Sequence, residues 1–164
     1  MPLSKHLKLH KMKKNKSIEA HKDKIDALFK KVKDINDIKM QSDWAKYLCV
    51  LVSGFLEKSI SLIYNDYAKK RTGTNIQNFV HSYLKGFQNP RMDKIIDLTR
   101  RFNPKWSEKL EKETDGIIKA SVNSIVTNRC KIAHGESVDL TYKAVNDYYK
   151  EVLKVVRLIK NQCK

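Results

Sequence analysis

The chain has 164 residues, of which 34 are basic and 18 acidic, so its formal net charge is +16 at pH 7. That length suits a single domain with one hydrophobic core. Hydrophobic residues make up 41% and charged residues 32%, which excludes a disordered chain and an integral membrane protein. The lysine excess favours a polyanionic partner, nucleic acid first and an anionic membrane surface second.

The cysteine pattern and the amino-terminal sequence indicate the compartment. Cys49, Cys130 and Cys163 are far apart and form no C-x-x-C pair, which is typical of reduced thiols rather than of disulfides or a zinc site. The amino terminus lacks the continuous apolar run of a secretory signal. A membrane span would need about 18 consecutive apolar residues, which the chain does not contain. We therefore expect a cytoplasmic protein with no membrane partner, no metal and no other cofactor.

The first 16 residues differ from the rest in charge. Residues 1–16 carry six lysines and no acidic residue. Because like charges at this density repel one another, the segment is predicted to be a basic arm, either mobile or a frayed helix. The arm either contacts phosphates or only keeps the chain soluble. We expect one folded domain over residues 17–164.

Helical periodicity begins within this domain. A first helix is predicted over about 18–39, and a second runs from a cap at Ser42 or Asp43 to about residue 70. The second helix is apolar on all sides in its middle, as expected of a helix surrounded by others. Gly54 lies in that middle part, where a glycine usually lets another backbone come close.

The remaining sequence predicts shorter helices and then two clear ones. Asn-Pro pairs at 89–90 and 103–104 predict breaks before short helices. One clear helix begins near Asp115 and ends at Gly135, and the other runs over about 141–161. With no strand pattern, the expected fold is all-α, an up-down helical bundle with additional short helices. In the third helix the apolar residues Ile76, Phe79, Val80, Tyr83 and Leu84 lie on one side. In the last helix the inner side is assigned to Val145, Tyr148, Val152, Val155, Val156 and Ile159.

An arginine interrupts the inner stripe of the helix that ends at Gly135. Arg129 follows Ile118, Val122 and Ile125 at helical spacing, where a hydrophobic residue is expected. Burying an unpaired guanidinium costs on the order of several kcal/mol, so Arg129 must face a carboxylate, a bound anion or a hydrated cleft. His134 lies at the helix end, where it can turn back toward Arg129. In a simpler interpretation, Arg129 pairs with Glu57 of the second helix and His134 is a polar cap.

Residues 128–135, Asn-Arg-Cys-Lys-Ile-Ala-His-Gly, resemble the R-x4–6-H signature of HEPN domains. The segments Gly54-Phe-Leu-Glu-Lys-Ser59 and Val145-Asn-Asp-Tyr-Tyr resemble the RiboL-PSP-HEPN subset, over about residues 20–162. The resemblance implies a helical bundle that dimerises and places two copies of the motif across a shared cleft. Many such domains are metal-independent endoribonucleases of toxin–antitoxin or other defence systems. Others bind RNA or act as scaffolds without catalysis.

The resemblance implies catalytic roles for Arg129 and His134. A neutral His134 would remove the proton of the RNA 2′-OH, and Arg129 would stabilise the charge on the attacked phosphate. The residue after the arginine is often Asn, Asp or His in the family, and here it is Cys130. Candidate supporting residues are Asn128, Glu57 and Cys130. Candidate phosphate contacts, which a solvated face explains equally well, are Lys131, Arg100, Arg101 and Lys143.

The sequence therefore predicts a homodimeric endoribonuclease that cuts single-stranded or loop RNA and leaves 2′,3′-cyclic phosphate ends. We expect a toxin or defence effector, with RNA as its partner and an antitoxin or another defence protein as a further one. The alternative is a non-catalytic HEPN-like RNA-binding or scaffold module in such a system. A third hypothesis is a nucleotide-binding helper of a nucleotidyltransferase.

Overall fold

The computed structural model describes the backbone of residues 3–164 and the side chains of residues 17–164. This part of the chain is all-α, without a strand, as predicted. The first helix begins and ends earlier than expected, and the side chains of the predicted arm, 1–16, lie outside the described residues. The helices are α1 (Leu3–Lys33), α2 (Ile38–Arg71), α3 (Thr74–Lys85), α4 (Met92–Phe102), α5 (Pro104–Thr114), α6 (Ile117–Ala133) and α7 (Tyr142–Gln162).

Helix α2 is the centre of the bundle and contacts α1, α3, α6 and α7. Its residues Leu48, Val52, Leu56 and Ile60 are fully buried and form one stripe, because a spacing of four keeps them on one face. By length and composition alone α2 could cross a membrane. More than half of its most apolar stretch is buried by the other helices, which is the arrangement of a core helix.

The turn between α1 and α2 lies earlier than predicted because Asp37 caps α2. Its carboxylate accepts a hydrogen bond from the N–H of Met40 at 2.8 Å, which satisfies a donor of the first turn. The caps predicted at Ser42 and Asp43 are therefore wrong, and both residues lie inside α2. The hydroxyl of Ser42 donates to the carbonyl of Leu140 at 3.3 Å and ties the start of α2 to the loop after α6.

The apolar side of α3 faces solvent more than the core. Leu84 is buried, whereas Ile76, Phe79 and Tyr83 are 53%, 69% and 45% exposed. Among the described residues, α3 packs closely against one helix, α2. This single contact covers only part of the apolar side that the sequence predicts, so these three residues remain exposed.

The helix boundaries predicted for the second half of the chain are confirmed. α5 begins at Pro104, and Asn103 accepts a hydrogen bond from the N–H of Lys105 at 3.0 Å. α7 begins after Thr141, whose hydroxyl accepts a hydrogen bond from the N–H of Ala144 at 3.2 Å. In each case a polar side chain satisfies an N–H group of the first turn, as the sequence indicates.

Tyr149 joins α7 to α1. Its ring stacks on Phe29 with 5.0 Å between the centroids, and its hydroxyl donates to Asp26 at 2.9 Å. Burial raises the pKa of this phenol well above its usual value, and the hydrogen bond to the carboxylate raises it further. Tyr149 is thus the buried tyrosine of α7, whereas Tyr148, predicted to face inward, is half-buried.

Candidate active site

The motif lies at the carboxyl end of α6 and in the loop that follows. His134 ends the helix with φ −90° and ψ 6°, and Gly135 has φ 72°. The N–H groups of Gly135 and Glu136 donate to the carbonyls of Ile132 and Lys131 at 3.1 and 3.0 Å. These two bonds form a Schellman motif with glycine in its left-handed position, as predicted. They hold the backbone of His134 at the helix end.

Arg129 lies in register with the buried residues of α6. Val122 and Ile125 on this stripe are fully buried, and Arg129, nearer the helix end, is half-buried. Within residues 17–164 its side chain has no ion pair and no hydrogen bond. Its N–H donors are therefore available to an anion in a partly desolvated place, where a charged hydrogen bond is strong.

The contacts of α2 with α6 place the motif at the start of α2. The thiol of Cys49 donates to the carbonyl of Ile125 at 3.5 Å, and Ser42 contacts the loop after α6. The two helices are therefore antiparallel. Ala45 lies four residues before Cys49 in α2, and Arg129 lies four residues after Ile125 in α6. Because the two helices are antiparallel, Ala45 is level with Arg129.

Glu57 does not pair with Arg129. Its carboxylate accepts a hydrogen bond from the N–H of Asn89 at 2.9 Å, in the loop before α4. Glu57 lies about twelve residues beyond Ala45 along α2, which is ~18 Å at the rise of an α-helix. No contact supports the orienting role predicted for Glu57 or the alternative in which it neutralises Arg129.

His134 is exposed, and no hydrogen bond joins it to Arg129 within the described part of the chain. Five helical steps rotate a side chain by ~140° about the axis, and His134 follows the last helical residue directly, with φ −90° and ψ 6°. The two side chains therefore leave the helix on different sides. The turn of His134 back toward Arg129, expected from the sequence, is not observed.

The neighbours of Arg129 in the sequence do not orient it by a hydrogen bond. Asn128 and Cys130 are half-buried, and Cys130 is a free thiol. Lys131 is exposed and has no ion pair within residues 17–164. In the same range, no three His, Cys, Asp or Glu side chains come together as candidate metal ligands.

The other predicted phosphate contacts have carboxylate partners on their own helices. Arg100 and Arg101 are exposed on α4 and lie 2.7 and 3.7 Å from Asp97. Lys143 lies 2.8 Å from Asp147 in α7, and this pair raises the pKa of the lysine and lowers that of the aspartate. Exposed pairs add little to stability, so each cation can exchange its carboxylate for a phosphate.

Sequence reasoning missed an exposed apolar stripe near the motif. Met40, Trp44 and Tyr47 of α2 are exposed, and the Trp44 ring meets the Tyr47 ring edge to face at 5.7 Å. Their spacing keeps them on one side of the helix, and we call them the α2 stripe. The stripe lies on the part of α2 that is level with Arg129. The stretch that follows, 47–56, is apolar on all sides, so periodicity there gives no sign of which side of α2 stays uncovered.

The family model of RiboL-PSP-HEPN matches residues 4–164, nearly the whole chain and most of the segment predicted as an arm. The chain therefore belongs to the RiboL-PSP-HEPN family, and the resemblance seen in residues 128–135 is confirmed. No curated protein and no solved structure gives a match. Membership of this HEPN-type family links the chain to RNA-related functions.

Proposed function

We propose that the chain is a metal-independent endoribonuclease whose active site contains Arg129 and His134. One observation carries the proposal: Arg129 occupies a core position of α6, half-buried, without an ion pair in residues 17–164. A guanidinium in such a place needs an anion, and a phosphodiester matches its planar fork of donors. An exposed imidazole follows at the end of the same helix.

The chemistry uses the nucleophile that RNA itself carries. Neutral His134 removes the proton of the 2′-OH while the 2′-oxygen attacks phosphorus. Arg129 donates to the non-bridging oxygens and stabilises the charge that develops there. The bond from phosphorus to the 5′-oxygen breaks, and that oxygen takes a proton. The products are a 2′,3′-cyclic phosphate and a 5′-hydroxyl.

We place this site across two subunits. Within one chain the two side chains leave α6 about 140° apart. A two-fold axis beside the α2 stripe would bring Arg129 of one subunit toward the partner subunit's His134. The exposed Trp44 and Tyr47 rings support this arrangement, because aromatic residues are enriched at protein interfaces.

The test is cleavage of labelled single-stranded RNA in the presence of EDTA. Wild type is expected to leave 2′,3′-cyclic phosphate ends. His134→Ala should lower the rate by about 10²–10⁴, as for a lost general base. Arg129→Ala should lower it by about 10²–10³, as for a lost oxyanion donor. Arg157→Ala, an exposed arginine of α7, is the matched control and should cut normally. Activity that EDTA abolishes would contradict the proposal.

The second candidate is a non-catalytic RNA-binding or scaffold module. Cys130 favours it, because a thiol is a weak hydrogen-bonding group at a position where the family often has Asn, Asp or His. Binding that weakens steeply with salt and leaves the RNA intact would support this candidate. For either candidate, the setting we propose from the family is a toxin–antitoxin or other defence system.

A further inference from the structure

The part of the chain around α3 is strongly basic. Between Asp66 and Asp93 there is no acidic residue, and there are five lysines and arginines. Arg101 of α4 adds a cation beside α3, with its guanidinium 5.7 Å from the centre of the Tyr83 ring. Its nearest carboxylate is Asp97, which it shares with Arg100. This segment therefore carries a net positive charge, and of its cations Lys70 pairs with Asp66. The five basic residues are Lys69, Lys70, Arg71, Lys85 and Arg91.

Two aromatic rings are exposed on α3, within this basic segment. Phe79 and Tyr83 are one helical turn apart, so their side chains are neighbours about 5–6 Å apart at Cβ. Ile76 extends the same apolar row. We call Phe79 and Tyr83, together with Arg101, the α3 surface, and Ile76 lies beside it. At the α2 stripe, by contrast, no guanidinium lies over a ring within residues 17–164.

We propose that the α3 surface binds single-stranded RNA, with bases stacked on Phe79 and Tyr83 and a phosphate held by Arg101. Stacking rings within a positive surface are what sequence-tolerant single-strand binders use. A second copy of this chain would bring positive charge against positive charge. An acidic protein segment would complement the charge, but the rings and the guanidinium beside one of them favour nucleobases. The choice of RNA as the polyanion rests on the proposed function.

The α3 surface lies well away from the motif. The side-chain amide of Gln77 donates to the carbonyl of Thr72 at 2.7 Å, and the N–H of Asn89 donates to Glu57. α3 therefore folds back along α2 between these two contacts. The middle of the α2 stretch between Glu57 and Thr72 is about twenty residues from Ala45 along the helix, which is ~30 Å at 1.5 Å per residue.

The test is fluorescence anisotropy with a fluorescein-labelled 20-nucleotide polyuridylate. All proteins carry His134→Ala, so that the RNA stays intact. Phe79→Ala and Tyr83→Ala should each raise Kd by about five- to a hundredfold, the loss of one stacked base. Arg101→Ala should raise Kd and lower the salt slope by about 1. Ile76→Ala is the matched control, exposed on the same face without a ring, and should leave Kd within about twofold of its parent.

The outcomes distinguish base stacking on the rings from non-specific apolar binding. Equal losses in the Ile76 and Phe79 variants would overturn the proposal and indicate a docking face for an apolar protein segment. Unchanged Kd in both ring variants would overturn it as well. If the protein binds RNA through these rings but never cuts it, the proposal for the α3 surface stands and the proposed nuclease function fails. Circular dichroism checks that the exposed substitutions leave the helices intact.

Discussion

Arg129 and His134 leave the end of α6 about 140° apart, the arginine on the side of the buried Val122 and the histidine toward solvent. One chain thus presents an anion-binding group and a proton acceptor on different sides of a helix end. We propose that the two groups act on one phosphate through a second copy of the chain. The following predictions test the helix end, the core, the pH dependence and this second copy.

The helix end depends on the left-handed conformation of Gly135. Gly135→Ala should lower the free energy of unfolding by about 1 kcal/mol, because φ is 72° and a Cβ is strained there. Nothing lies within 4 Å of the added Cβ, so the loss comes from the backbone alone. RNA cleavage should fall as well, since His134 is the preceding residue. Thermal unfolding and the cleavage rate measure the two effects.

Gly54→Ala is the matched control for that variant. Gly54 lies inside α2, and within residues 17–164 an added Cβ would meet nothing within 4 Å, so the close approach of another backbone that the sequence suggests is not found there. Alanine is favoured over glycine in a helix interior by about 0.5–1 kcal/mol, so this variant should be more stable than wild type. If Gly135→Ala and Gly54→Ala changed the free energy of unfolding in the same direction, the assigned backbone conformations would be contradicted.

The core contact between α7 and α1 should depend on one hydroxyl. Tyr149→Phe removes the donor to Asp26, which keeps its ion pair with Lys22 at 2.6 Å. We expect a loss of about 1–2 kcal/mol in the free energy of unfolding, measured by chemical denaturation. Tyr148→Phe is the control, since that hydroxyl has no hydrogen bond within residues 17–164, and should change stability by less than about 0.5 kcal/mol. Equal losses would show that the Asp26 contact does not stabilise the fold.

The free energy of unfolding should decrease in mild acid because His21 takes up a proton more readily in the unfolded chain. Its ring lies against Phe55 at 5.5 Å, and burial, followed by repulsion from Lys58 and Lys24, lowers its pKa below the ordinary 6.5. The unfolded chain then binds a proton more readily than the folded one, so stability decreases as pH drops below about 6.5. His21→Gln should lose less stability than wild type between about pH 7.5 and 5.5. Parallel stability curves for the two proteins would contradict this sign.

The α2 stripe should control the oligomeric state. Trp44→Glu places a charge among exposed apolar side chains, and we expect it to convert a dimer into a monomer and to abolish cleavage. Phe79→Glu on α3 is the control and should remain dimeric. Size-exclusion chromatography with light scattering gives the mass of each variant. A dimeric Trp44→Glu protein, or a monomeric wild type at micromolar concentration, would place the proposed axis elsewhere.

Helix positions followed from the sequence, because apolar spacing and caps are local properties. The end of α6 at Gly135 and the start of α7 after Thr141 are where the residue types predict them. The start of α2 was misplaced because Asp37, Ser42 and Asp43 are all good caps, and local sequence does not rank them.

The exposure of apolar sides and the partners of charged residues did not follow from the sequence. Phe79 and Tyr83 have the spacing of core residues. They remain exposed because, within residues 17–164, α3 packs against α2 alone. Glu57 bonds to Asn89 because α3 folds back along α2, a long-range arrangement that spacing does not encode. The position of the motif was predictable, and the divergence of its two side chains depended on the place of His134 directly after the last helical residue.

The most direct measurement of the shared active site is the cleavage rate of a mixed dimer. An Arg129→Ala subunit and a His134→Ala subunit carry different affinity tags, are produced together and are purified on both tags. If Arg129 of one subunit acts with the partner subunit's His134, one of the two sites is intact, and the mixed dimer should cut RNA in EDTA at about half the wild-type rate. A mixed dimer as inactive as either variant alone, beside an active wild type, would contradict the shared site.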